Sequence, residues 1–156
     1  MKSTLFVFLL ALTVALWVCL AADAGGKISI RTLAKGAFSG VMDSKQEVIK
    51  DQTAWEKFWS AHCASAKPAP PIPAVDFAKE MVIAVTMGKK NSGGYAIEIT
   101  GVETMANHLN ILVKRTSPAP GAITIAALTA PFHFVVVPKS DLRPEFLDTP
   151  TAERAK

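Results

Sequence analysis

The stretch MVIAVTMGKKNSGGYAIEI, residues 81–99, decides the fold of this chain. Met81–Val85 is a continuous apolar run of strand length, which predicts a central strand buried on both faces. A polar, glycine-rich turn follows at Gly88–Gly94. Tyr95–Ile99 then alternates apolar residues with small or charged ones, and this period of two predicts a half-buried strand. The stretch therefore contains two strands with no helix between them.

Strand patterns continue towards the C-terminus. Leu109–Val113 repeats the period of two, and Met105–Asn107 is predicted to form the bend of the hairpin before it. Ile123–Ile125 is predicted as a further short strand, and Phe132–Val137 closes the series between two prolines. The tail from Ser140 is polar and lacks periodicity, so we expect it to be loosely attached or disordered.

Three short extended pieces precede the central strand. Ile28–Thr32 alternates with a period of two. Phe38–Val41 and Glu47–Ile49 flank a polar turn at Asp43–Lys45 and are predicted to be two more extended segments.

The chain has one convincing helix pattern. Asp51 or Thr53 can cap its N-terminus, the latter through a T-x-x-E capping box with Glu56. Four residues then fall at helical spacing on one face: Trp55, Phe58, Trp59 and His62. Two tryptophans on one stripe are compatible with a ligand platform, but their large apolar area favours a place in the core.

A proline-rich segment, Lys67–Pro73, must lie beyond the end of this helix. Its prolines remove backbone donors and impose an extended path. The segment could serve as a polyproline ligand for a partner. A rigid surface connection from helix to strand is the favoured interpretation.

These patterns predict an α+β fold that is mainly β. About seven strands form antiparallel sheet of sandwich or barrel type, and one early helix packs against it. The helix precedes an antiparallel run, and no β-α-β alternation is visible.

The first 24 residues have the pattern of a secretory signal. Lys2 supplies a positive charge, Leu5–Leu20 is almost wholly apolar, and Ala22–Ala24 has small residues where a signal peptidase reads them. The apolar run is shorter than the ~20 residues of a membrane-spanning helix. We therefore expect cleavage after Ala24, export to the periplasm or medium of a bacterium, and no membrane span. Cys19 follows bulky Trp and Val, which favours an ordinary apolar residue of the leader over a lipid anchor.

Composition narrows the function classes. The net charge of the 156-residue chain is +4, and its basic residues form no long run, so no nucleic-acid partner is predicted. Cys63 is the cysteine that remains after the leader, and a buried structural thiol is expected there. The three histidines are not spaced as metal ligands, so no metal and no cofactor is predicted.

Two features carry the remaining hypotheses about chemistry. Asn91–Tyr95 contains two glycines that could form an anion-binding nest, although a tight hairpin or bulge is the favoured use because a strand follows. His133 lies among strand residues, where a hydrogen-bonded core histidine is the usual finding. A triad of Ser92, His133 and Asp76 could be drawn, but no G-x-S-x-G motif supports it.

Taken in order, several short motifs resemble the C-terminal domain family of PrcB, an accessory subunit of a bacterial surface protease complex. They are FSGV (38–41), EVI (47–49), Trp55 with Trp59, VDF (75–77), MVIA (81–84), Gly88, GGYAI (93–97), PAPG (118–121), PFHFV (131–135) and VPK (137–139). The resemblance runs from Phe38 to Lys139. It implies a small exported domain, residues 25–139, that has no activity of its own and binds and stabilises a secreted or surface protease.

The predicted function is therefore a non-catalytic, exported protein-binding module whose partner is a protein, in the family a protease. A sharper variant of this hypothesis is a protease inhibitor, in which a rigid loop rich in proline and glycine enters the active site. The candidate surface consists of the loop Ser92–Tyr95 and the segments Pro68–Pro73 and Ser117–Gly121, because loops on a sheet scaffold commonly carry binding. Its candidate contact residues are Ser92, Gly93, Gly94, Tyr95, Pro120 and His133. The alternative is a small periplasmic enzyme or ligand-binding domain that uses His133 and a nearby carboxylate.

Overall fold

The structure is a computed structural model that describes residues 25–150. The predicted signal peptide, its cleavage site and Cys19 lie outside the described residues. The elements of the described part are β1 (Lys27–Ile28), β2 (Arg31–Gly36), β3 (Ser44–Ile49), α1 (Gln52–His62), β4 (Glu80–Met87), β5 (Ala96–Met105), β6 (His108–Thr116), β7 (Phe132–Pro138) and β8 (Arg143–Thr149).

Two four-stranded sheets make up the fold. One has the strand order β1-β5-β6-β8 and the other the order β2-β7-β4-β3. All pairs are antiparallel except β6 with β8, which is parallel. The sheets face each other and do not close into a barrel, so the predicted mainly-β fold with one packed helix is confirmed in its sandwich form.

The two central strands β4 and β7 are buried on both faces, as the apolar run from Met81 predicted. Met81, Ile83 and Val85 point into the core between the sheets. The intervening Val82 and Ala84 point into a second core beneath α1. A strand with period-two side chains must be apolar at every position when helix and sheet cover its two faces.

The helix α1 begins after Asp51, whose carboxylate accepts a hydrogen bond from the Ala54 amide at 2.8 Å. Of the two predicted caps, Asp51 is the one used, and Thr53 lies within the first turn. Trp55 and Trp59 are buried against β7, which confirms the core interpretation. Their indole N–H groups donate to the carbonyls of Pro73 and Pro70 at 3.1 and 3.2 Å, so the proline-rich segment lies along the helix.

Three local predictions are wrong. The tail is not loose, because Arg143–Thr149 forms β8, and Leu142 and Phe146 pack against the main core. Backbone hydrogen bonds to the edge of β6 stabilise this strand despite its polar side chains. Ile123–Ile125 and Phe38–Val41 belong to no strand, since neither lies beside a sheet edge that it pairs with.

Helix α1 is too short to cross a bilayer, and the residues described include no other helix that could do so.

Candidate functional site

An apolar groove of about 570 Å³ lies at the end of the sandwich where α1 ends. Its walls come from the loop before β3, the C-terminal end of α1, the proline-rich segment, the start of the β4–β5 loop and the chain just before β7. The lining residues used below are Phe38, Ser39, Met42, His62, Lys89 and Leu128.

Large apolar side chains stand open to solvent on the walls of this groove. Phe38, Met42 and Leu128 are 66%, 50% and 61% exposed. Single exposed apolar residues are ordinary on a protein surface, but a group around one concavity is typical of an interaction site. The groove is therefore the first candidate for binding.

The floor of the groove contains a hydroxyl–imidazole pair. Ser39 Oγ lies 2.9 Å from His62 Nδ1 and accepts a hydrogen bond from the Val41 amide at 3.1 Å. The Val41 amide uses an acceptor site of the hydroxyl, which leaves the hydroxyl proton for the imidazole. Burial lowers the pKa of His62, so this ring is neutral near pH 7.

The loop before β3 approaches the C-terminal end of α1 closely, and this contact holds the Ser39–His62 pair in place. The Gly40 amide donates to the His62 carbonyl at 2.7 Å. A Cβ at Gly40 would lie 2.3 Å from the Ala61 carbonyl oxygen, so only glycine fits here. The contact satisfies a carbonyl at the helix C-terminus and fixes one wall of the groove.

Two further groups determine the chemistry of the groove. Burial raises the pKa of the Cys63 thiol, and the residue is buried as predicted, so the thiol stays protonated and is a weak nucleophile. Lys89 supplies the formal charge among the lining residues. The groove therefore offers apolar area, a neutral polar floor and one cation, which suits binding better than catalysis.

An extended segment without charged residues, Ser117–Thr129, connects β6 to β7 and is called the arm below. The glycine-rich loop holds it. The Gly93 amide donates to the Ile125 carbonyl at 3.0 Å, and Thr129 Oγ1 donates to the Ser92 carbonyl at 2.9 Å. The backbones of Lys90 and Thr129 also exchange hydrogen bonds of 2.7 and 2.9 Å.

The glycines of this loop are needed because the arm lies against them. Gly94 has a φ of +85°, and a Cβ there would lie 3.0 Å from Pro118 Cβ. A Cβ at Gly93 would lie 2.7 Å from Ile125 Cγ1. The predicted tight hairpin is wrong, because β4 and β5 belong to different sheets. The loop instead braces the arm, an assignment that the sequence pattern does not reveal.

The structure brings the three predicted binding segments together at one end of the molecule. Ser92, Gly93 and Gly94 contact the arm, and Pro120 is exposed on it. Tyr95 is half-buried with the Lys90 ammonium 5.4 Å from its ring centroid. Pro70 of the proline-rich segment lines the same groove as Leu128.

His133 lies elsewhere and is 3% exposed, so its assignment to the partner surface is not supported. Its Nδ1 accepts a hydrogen bond from the Ile99 amide at 2.9 Å, so Nε2 carries the proton and donates to Thr32 Oγ1 at 3.0 Å. The ring thereby joins β5, β7 and β2, and the prediction of a hydrogen-bonded core histidine is confirmed.

The electrostatics around His133 argue against an acid–base role. Burial, and then the nearby Lys35 ammonium, lower the pKa of His133, while Glu98 raises it. Glu98 is itself paired with Lys35 at 2.6 Å, and this hydrogen bond lowers the pKa of the carboxyl group. Both ring nitrogens are already engaged within the protein, so neither is free to take a proton from a substrate.

The triad drawn from the sequence does not assemble. Ser92 Oγ donates to the Gly93 carbonyl, and the Asp76 carboxylate accepts from the Ala78 amide and lies beside Lys79. His133 is occupied between the sheets as described above.

Sequence reasoning missed the exposed apolar residues of the groove and the arm, namely Phe38, Met42, Ile123, Ile125 and Leu128. One signal was available. The chain has no Asp, Glu, Lys or Arg between Arg115 and Lys139, a span much longer than one buried strand needs. The surplus length is the arm.

The comparisons with known proteins bear on the same region. Residues 81–138 match the model of the family described as PrcB C-terminal. No curated protein and no solved structure matches the chain. The match begins at Met81, so the resemblance of the preceding motifs from Phe38 onwards stays a prediction. The matched residues run from β4 to β7 and include the arm and the loop that braces it, and over these residues the predicted resemblance to the PrcB C-terminal family is confirmed.

Proposed function

We propose that this protein is an exported, non-catalytic binding module that docks a secreted or surface protease through the groove and the arm. The observation that carries the proposal is the gathering of exposed large apolar side chains at one end of the sandwich. The family match supports association with a protease complex. The leader pattern of residues 1–24 supports export.

The energetics of such a surface suit a protein partner. Burying a large apolar side chain that was exposed contributes about 1.5–3 kcal/mol. Aromatic residues in a desolvated centre carry a large share of interface energy. Phe38, on the rim of a concavity, has the type and the position of such an anchor. Lys89 adds a cation that favours a partner surface of opposite charge.

The geometry favours this function over the enzymatic alternative. An enzyme based on His133 needs a ring nitrogen that faces a pocket and a carboxylate within reach. His133 is buried with both nitrogens bonded, and Glu98 is paired with Lys35. The apolar groove lies at His62, whose neutral ring is paired with Ser39.

The test compares one substitution in the groove with a matched substitution far from it. Phe38→Asp removes the proposed anchor. Met105→Asp introduces the same charge at an exposed apolar residue at the other end of β5, about 30 Å from the β4–β5 loop by strand rise. Both variants should unfold at the same denaturant concentration as the wild type, since both positions are exposed.

The immobilised domain is exposed to culture medium of the source organism, and captured proteins are identified by mass spectrometry and then tested as purified proteins. We expect one identified protease to bind the wild type and Met105→Asp and to bind Phe38→Asp at least about tenfold more weakly. Equal binding of that protease by Phe38→Asp, or no purified protease that binds, contradicts the proposal.

A further inference from the structure

We propose that the middle of the arm, residues 122–126, is a substrate-like loop that enters the active-site cleft of the partner protease, with Ile123 as the side chain that fills its specificity pocket. The inference rests on the proposed function and deepens it, because it names the part of the protease that the arm contacts. It requires no covalent step, since occupation of the cleft is sufficient.

The first observation is the position of Ile123. Its exposed fraction is 103%, so its side chain contacts essentially nothing in its own protein. Thr124 and Ile125 both lie against the glycine loop, where a Cβ at Gly94 would lie 3.3 Å from Thr124 Cγ2 and a Cβ at Gly93 would lie 2.7 Å from Ile125 Cγ1, although Ile125 is still 67% exposed. Ile123 is therefore a large apolar side chain that stands clear of the protein, next to residues that are anchored on the glycine loop.

The second observation is that the segment is held from both sides. A turn closed by the Ala122 amide and the Ala119 carbonyl, 3.0 Å apart, precedes it. The Gly93–Ile125 hydrogen bond holds its middle, and the Lys90–Thr129 pair follows it. A loop fixed in its bound shape loses little conformational freedom on binding, which is what a tight competitor of a flexible substrate needs.

The chemistry of the segment indicates the class of protease. Proteases bind an extended backbone and select substrates by the pocket that takes one side chain. The arm carries no charge, and its large exposed side chains, Ile123, Ile125 and Leu128, are branched and apolar. It therefore fits a protease whose specificity pocket is a neutral apolar slot and does not fit one with a buried carboxylate in that pocket.

The test is a change of target specificity, measured as inhibition constants of the purified domain against elastase, subtilisin and trypsin with small chromogenic substrates. The wild type should inhibit at least one of the two proteases with apolar pockets and leave trypsin active. Ile123→Lys should weaken that inhibition at least about 100-fold and create inhibition of trypsin, because the lysine matches the pocket carboxylate of trypsin. Met105→Lys, the matched control, should keep the wild-type pattern.

Several results overturn the inference. They are the absence of inhibition of every protease tested, unchanged inhibition by Ile123→Lys, and rapid cleavage within the arm without inhibition. Binding of the wild type to phosphatidylglycerol vesicles that is lost in Ile123→Lys, without protease inhibition, would assign the arm to a membrane. If Ile123→Lys still binds the natural protease partner while Phe38→Asp does not, docking through the groove stands and the inference about the arm fails.

Discussion

The arm and the strand that follows it, β7, are both uncharged and largely apolar, but β7 is buried and the arm is exposed. Both lie in the uncharged span between Arg115 and Lys139. Strand β7 is almost wholly buried between β2 and β4, whereas the arm leaves Ile123, Ile125 and Leu128 open to solvent. Backbone pairing explains this difference in exposure. Strand β7 has a hydrogen-bonded strand on each side, whereas the arm has beside it only the glycine-rich loop of residues 88–94, called the bracing loop below. Apolar composition alone therefore does not decide burial.

The contrast is tested most strongly by truncating one large apolar side chain to alanine in each region. Phe134→Ala in β7 should lower the free energy of unfolding by about 3–5 kcal/mol, because its ring is fully buried and packs against Trp55, Phe58 and Trp59. Ile123→Ala in the arm should change it by no more than about 0.5 kcal/mol. Urea titrations measure both. A comparable loss for the two variants would show that the arm is part of the core.

A smaller effect concerns the histidine that makes β7 a bridge between the sheets. His133→Asn should cost about 1–3 kcal/mol, because the Ile99 amide and Thr32 lose their partner. Urea titration at pH 7.5 measures the loss. A change of the arm's protease binding in this variant would contradict the separation of the two regions.

The lowered pKa values of His133 and His62 predict how the stability of the domain changes with pH. The folded-state pKa values of His133 and His62 lie below the ordinary 6.5, so the unfolded chain takes up their protons first. Their contribution to stability is therefore complete above pH 6.5 and is lost as the pH falls from there towards the folded-state values. Urea titrations between pH 7.5 and 5 should show this decline, with a shallower slope in His133→Asn. A stability that rises over this range would refute the assignment of neutral buried rings.

Substitutions in the bracing loop should lower the free energy of unfolding by less than substitutions in the core and by more than substitutions at exposed positions. Gly94→Ala combines a strained φ of +85° with a contact to Pro118 and Thr124, whereas Gly121→Ala has a φ of +78° and open space around it. We expect a loss of about 1 kcal/mol for Gly121→Ala and a larger loss for Gly94→Ala. Limited proteolysis of the arm should quicken in Gly94→Ala. Equal behaviour of the two variants would mean that the loop does not hold the arm.

The smallest effect is expected at the exposed ion pair beside His133. The Lys35 and Glu98 side chains are each nearly half exposed, so their 2.6 Å contact is screened by water. A double-mutant cycle with Lys35→Ala and Glu98→Ala should give a coupling of about 0.2–1 kcal/mol that falls at high salt. A much larger coupling energy would contradict this, because it would mean that the Lys35–Glu98 pair is shielded from water together with His133.

Much of the fold could be predicted from residue patterns, and much of the candidate site could not. The burial of Met81–Val85 and the core position of Trp55 and Trp59 follow from the sequence, because a continuous apolar run of strand length and an apolar stripe at helical spacing each specify which faces are buried. Strand β8 was missed because edge pairing depends on the free backbone of β6 and hardly on side chains. The exposure of Ile123 does not follow from the sequence, because the short alternation Ile123–Ile125 is the same whether or not a neighbouring strand pairs with it.

The most direct test of the binding surface is hydrogen exchange of the domain with and without the purified protease partner, read by mass spectrometry. We expect slowed exchange in the arm and in the loop of residues 38–42, and unchanged exchange at the β5–β6 hairpin around Met105. Slowed exchange confined to that hairpin, or no change at the arm and the groove in a saturated complex, would contradict it.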